Sequence, residues 1–166
     1  MRRVLYFLTG LAVLAALGWN VWRSEALIAA GEEVLLALAP VDPRSLMQGD
    51  YMRLRWDLER QSIAVPSGGA VVVLGLDQRR VGTFVRLAEG AAPGTGEKLF
   101  RVAAGASGGA SIEPHSFLFQ EGTADLFAKA KFGIFRVDAS GRHLLVGLAD
   151  ESARRIEVPA ASAPAR

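Results

Sequence analysis

Asp50-Tyr51-Met52-Arg53-Leu54-Arg55-Trp56-Asp57-Leu58 alternates along its whole length, with Met52, Leu54, Trp56 and Leu58 on one side and Tyr51, Arg53, Arg55 and Asp57 on the other. Successive side chains of an extended chain point to opposite faces, so residues 50–58 are predicted to form a half-buried β-strand with a polar outer face. Residues 33–39 (EVLLALA) read as an earlier strand, ended by Pro40 and Pro43, which cannot donate to a ladder. Residues 70–76 (AVVVLGL) are continuously apolar and β-branched, the pattern of a strand covered on both faces. Asp77 to Arg80 make a tight connection into a strand over residues 81–87, and a hairpin is expected there.

Glycine-rich crossings at residues 88–97 and 105–109 bracket a short strand at 98–103. Residues 112–119 read as extended despite Pro114, which favours a sheet edge. Thr123 is placed to cap a helix of two or three turns that buries Leu126, Phe127 and Ala130 and stops at Gly133. Residues 134–137 and 143–148 flank a glycine-bearing loop of hairpin length. The expected fold class is mainly β, an antiparallel sheet arranged as a sandwich or partial barrel, with one short helix and an N-terminal transmembrane helix.

That last element rests on residues 4–22 (VLYFLTGLAVLAALGWNVW), 19 residues without a charge. As a helix they span roughly 28 Å, close to the hydrocarbon thickness of a bilayer of about 30 Å. Arg2 and Arg3 precede the run and only Arg23, soon answered by Glu25, follows it, so the positive-inside bias places the N-terminus in the cytoplasm. Trp19 and Trp22 suit the far interface. A cleaved signal peptide is the competing reading, but the run exceeds the apolar core of such peptides. Three units follow: residues 1–23 as anchor, 24–155 as an exported β-rich domain, and 156–166 as a disordered tail. The expected address is the bacterial inner membrane, crossed once, with the domain periplasmic.

Composition agrees with this division. The chain has 166 residues, 51% hydrophobic and without cysteine, a length for one domain that needs no disulfide staple. Its net charge of +2 comes from 19 basic and 17 acidic residues. With Arg2, Arg3 and Arg23 assigned to the anchor the remainder is near neutral, which argues against a nucleic-acid partner.

Gly49, Asp50, Tyr51 and Leu54, within residues 40–56 (PVDPRSLMQGDYMRLRW), give the chain a specific likeness. The segment resembles the bacterial family named for its GDYxxLxY motif, with Trp56 where the family name has Tyr. That exchange keeps a large inward ring and lacks the phenolic hydroxyl. The resemblance extends to residues 119–133 (FQEGTADLFAKAKFG) and to the closing hairpin. It implies a membrane-anchored protein of uncharacterised activity beside a multi-pass membrane protein, and no reaction.

The motif has its own physical reading: Gly49 for a special backbone angle, Asp50 for bonds to nearby amides, Leu54 and Trp56 for the core. Tyr51 and Arg53 remain on the outer face as a candidate interaction surface. Catalytic patterns are thin. His115 and His143 lack metal-ligand spacing, Asp42, Asp50 and Asp57 form no calcium-loop pattern, and no cofactor is expected. Residues 94–98 (GTGEK) lack the spacing of a phosphate loop, so no nucleotide is expected. The functional expectation is an accessory or interaction domain working with an integral membrane protein. The alternative is an envelope hydrolase with Asp50 or Ser45 in the active site, the latter without a G-x-S-x-G or S-x-x-K context.

Overall fold

The computed structural model describes residues 2–40, 47–48 and 51–158. Helix α1 (Arg2–Ala30) precedes strands β1 (Glu32–Ala37), β2 (Met47–Gln48) and β3 (Tyr51–Arg53), a 3-10 turn (Asp57–Arg60), and strands β4 (Ala70–Leu76) and β5 (Gly82–Leu87). Strands β6 (Glu97–Ala104), β7 (Ala110–Ser111) and β8 (Ser116–Leu118), helix α2 (Ala124–Phe127), and strands β9 (Phe132–Val137) and β10 (His143–Ala149) complete it.

The strands form three antiparallel sheets in the orders β1-β9-β10, β2-β3-β8 and β5-β4-β6-β7. The first and last meet where the Leu35 amide donates to the Arg80 carbonyl at 2.9 Å beside a parallel bridge between Leu35 and Val81. On the other side the Arg101 amide of β6 donates to the Gly141 carbonyl of the β9–β10 turn, also at 2.9 Å. The two sheets thereby curl into a half-barrel. Its core is built on Trp56, Phe100 and Phe135, all fully buried, with Leu36, Val72, Leu74, Ile112 and Leu148 around them.

The hairpins β4–β5 and β9–β10 stand where alternation and turn residues placed them. Three elements differ. The strand expected over residues 50–58 pairs as a strand only at Tyr51–Arg53; Trp56 makes one bridge to Leu38, and the chain then turns at Asp57–Arg60. The cause is local, because the Glu59 carboxylate reaches back to accept the Trp56 amide at 3.3 Å and closes a turn where a ladder would continue. The extended stretch at 112–119 is likewise split, with β7 and β8 lying on either side of Pro114, which has no amide to donate. The helix expected after Thr123 is one turn, Ala124–Phe127. Thr123 Oγ1 bonds the Gln120 carbonyl at 2.6 Å, and the Lys131 amide and carbonyl are taken by Ala149 and Leu38, which draws the chain into β9. Of the three residues expected inside, Phe127 and Ala130 are nonetheless buried and Leu126 is half-buried.

α1 stops at Gly31, whose amide donates to the Leu27 carbonyl at 2.8 Å and where a Cβ would collide with that same oxygen. Leu27 is buried against the domain, and Arg136 Nη1 donates to the Gly31 carbonyl at 3.1 Å, so the helix is seated directly on β9. Large apolar side chains from Tyr6 to Trp22 face solvent, Phe7 at 74% and Leu14 at 68% of full exposure. Among the residues whose side chains are described, which begin at Tyr6 and so leave out the start of the apolar run, no helix is long and apolar enough to cross a membrane. At the other end packing continues past Arg155: Ile156 and Val158 lie against the core, and residues 159–166 are outside the described residues.

Candidate functional site

Gly49 and Asp50 are outside the described residues, as are Asp42 and Ser45. The rest of the motif segment divides by face. Met52, Leu54, Trp56 and Leu58 are all buried; Arg53 and Arg55 are exposed, and Tyr51 is half buried. Alternation therefore predicted the inward face correctly beyond the point where the ladder itself ends. β3 lies between β2 and β8, with Tyr51 opposite Leu118 and Arg53 opposite Ser116. Directly opposed residues share a face, so Tyr51, Arg53 and Leu118 form one small surface. Leu118 is 77% exposed, which no folding argument explains, and it carried no signal in the sequence because Tyr51, the residue it opposes, is 67 residues away along the chain.

Inside, Trp56 is a clasp between the motif segment and residues 111–115. Its Nε1–H donates to the Ile112 carbonyl at 2.9 Å, and its ring meets Phe135 edge-on with centroids 5.0 Å apart. Glu59 Oε1 accepts the Ile112 amide at 2.7 Å while Oε2 holds the Trp56 amide. The Leu54 amide donates to the His115 carbonyl at 2.8 Å. The motif backbone and its indole thus fix the segment from the end of β7 to His115, which carries Ser111 and His115. There Ser111 Oγ lies 3.2 Å from His115 Nε2, and His115 Nδ1 lies 3.9 Å from Glu59 Oε1. Ser111 also lines a cleft of about 430 Å³ with Ser67, Gly69, Arg101, Glu113 and His143.

His143 stacks on Phe100 at 3.9 Å and 10°, with Phe135 edge-on. Burial, aided by the Arg101 charge, pushes its pKa below the usual 6.5 against the opposing bonds to the Gly141 and Glu113 carbonyls and the Asp138 charge. On acidification the unfolded chain takes the proton first. Its contribution to stability is therefore fully present above about pH 6.5 and is lost as pH falls from there towards the depressed folded value. His143→Phe keeps a ring on Phe100 and is expected to flatten that part of the stability-against-pH curve, measured by urea unfolding. An unchanged slope would contradict the assignment.

The remaining sequence candidates are not brought together. Among the described residues no three His, Asp or Glu side chains cluster to hold a metal. Asp57 faces Arg60 at 3.8 Å on the surface. The glycines at 94–98 lead into a strand, where Glu97 accepts the Gly94 amide and pairs with Arg86, both groups being satisfied within the protein.

Fold and site together define a mainly β domain seated on a long apolar helix, with a motif segment whose inner face clasps residues 111–115. The sequence model for the family described as GDYXXLXY protein matches residues 13–148, and the chain belongs to that family. No curated protein and no solved structure matches it.

Proposed function

We propose that this is a membrane-anchored accessory domain. In this reading α1 crosses the bacterial inner membrane once with its start in the cytoplasm, and the periplasmic half-barrel works beside an integral membrane protein. The observation that carries it is the distribution of apolar groups around α1. Phe7, Leu8 and Val13 point in three different directions around the helix axis, and all are more than half exposed. A helix apolar on every side needs an environment that surrounds it, and docking along one face would leave most of that surface in water. Trp19 and Trp22, with ring centroids 5.1 Å apart near the domain end, suit the headgroup region. Tyr51, Arg53 and Leu118 supply the surface for the membrane partner, combining an aromatic ring, a guanidinium and an exposed leucine.

Flotation with phospholipid vesicles tests the anchor: the full chain is expected to float, and a chain starting at residue 24 to stay with the soluble fraction. Sedimentation of the full chain away from vesicles would end this reading. For the surface, capture from detergent extracts with wild type, Tyr51→Ala and Arg53→Ala is expected to lose a specific membrane protein in the variants. Equal capture by all three would remove that face from the proposal.

A further inference from the structure

Ser111, His115 and Glu59 form a row that neither the anchor nor the exposed face of β3 explains. Ser111 Oγ is 3.2 Å from His115 Nε2, and the opposite ring nitrogen faces Glu59 Oε1 at 3.9 Å. This is the order of a hydroxyl nucleophile, an imidazole base and a carboxylate that orients the base. The 3.9 Å gap is longer than a hydrogen bond, as is common before substrate binds, when catalytic contacts have yet to tighten.

Three further observations favour a chemical use over a chance surface pair. Glu59 is held by two backbone amides, those of Ile112 and Trp56, and its side chain is 19% exposed, so its carboxylate is fixed in place. His115 is tied through its carbonyl to the Leu54 amide, and the Trp56 indole bonds Ile112, next to Ser111. The family motif therefore supports each member of the row. Ser111 also lines the cleft of about 430 Å³, whose wall includes the oppositely charged Arg101 and Glu113.

We propose that Ser111 is a nucleophile for acyl transfer from a polar ester, with His115 as its general base and Glu59 as a positioning residue. With its hydrogen on Nδ1, facing Glu59, His115 accepts the Ser111 hydroxyl proton on Nε2 as Oγ bonds to the acyl carbon. Collapse of the tetrahedral adduct breaks the ester C–O bond, and the departing alcohol takes the proton from Nε2. Water repeats the sequence, releasing the free acid and restoring Ser111. The charges of Arg101 and Glu113 fit a substrate with polar groups beside the ester and disfavour a long-chain lipid. Nothing in this proposal depends on the membrane anchor.

The test is labelling of the full chain in detergent with an alkyl fluorophosphonate, the modified serine being mapped by peptide mass. Wild type is expected to carry the phosphonyl group on Ser111, Ser111→Ala none, and His115→Ala to label at least about 100-fold more slowly, the usual contribution of a general base. The thermal midpoint of Ser111→Ala should match wild type, since the hydroxyl's bond to His115 is exposed to solvent. For Glu59, imidazole nitrogen shifts are expected to place the His115 hydrogen on Nδ1 in wild type and to move it towards Nε2 in Glu59→Gln; unchanged shifts remove Glu59 from the proposal. An unlabelled wild type, label retained by Ser111→Ala, or label on another serine such as Ser45 overturns the proposal for Ser111.

Discussion

Trp56→Ala is expected to cost the domain about 3 to 5 kcal/mol, the range for removing a large buried aromatic. Several losses combine at this position. The indole is fully buried, so its removal leaves a cavity lined by Phe135 and the residues around it. Its Nε1–H is the donor to the Ile112 carbonyl, which would then be buried with one acceptor position unfilled, and about 1 to 3 kcal/mol of the loss belongs to that bond unless water enters. A domain of this size has a total stability of about 5 to 15 kcal/mol, so the loss removes at least about a fifth of it and all of it at the lower end of that range. Urea unfolding followed by far-ultraviolet circular dichroism measures the loss without relying on the deleted indole. Trp56→Phe separates the contributions, since it keeps an aromatic ring against Phe135 and removes the donor. Its loss should be clearly smaller than that of Trp56→Ala, and equal losses would show that ring packing contributes little.

Position 56 also shows how much was legible in the sequence. Period-two alternation identified Met52, Leu54, Trp56 and Leu58 as inward residues, and all four are buried. Burial depends on which way a side chain points, which backbone extension sets residue by residue. Ladder pairing depends on a neighbour, and the neighbour was lost when Glu59 turned the chain at Asp57–Arg60. The hairpins β4–β5 and β9–β10 were legible because strand, turn and strand are contiguous. The candidate site was not, since Glu59 and Ile112 are 53 residues apart and nothing in either segment alone specifies the other. His115 read only as a histidine without metal-ligand spacing, because its Glu59 partner comes from another part of the chain. The same limit hid the pairing of Tyr51 with Leu118.

Gly133→Ala is expected to destabilise by at least about 3 kcal/mol, the upper part of the usual range for overpacking, although strand propensity predicts a small gain. Gly133 sits in β9, the middle strand of its sheet, between Leu36 of β1 and Leu148 of β10. A Cβ built there would lie 2.5 Å from both Cη2 and Cζ3 of Trp56 and 3.1 Å from Leu145 Cδ1. Leu145 can rotate away. The indole cannot easily follow, because Nε1 is bonded to Ile112 and Phe135 closes against the ring, so the strain must pass into the backbone of β9 or break the clasp on residues 111–115. The cause can be isolated with a double-mutant cycle that adds Trp56→Leu, whose shorter side chain vacates the space a Cβ needs. If the indole is the obstacle, Gly133→Ala should cost much less in the Trp56→Leu background, with a coupling of about 1 to 3 kcal/mol in urea unfolding. Additive losses would mean that the glycine is required for some other reason, and the close approach of Trp56 would then be incidental.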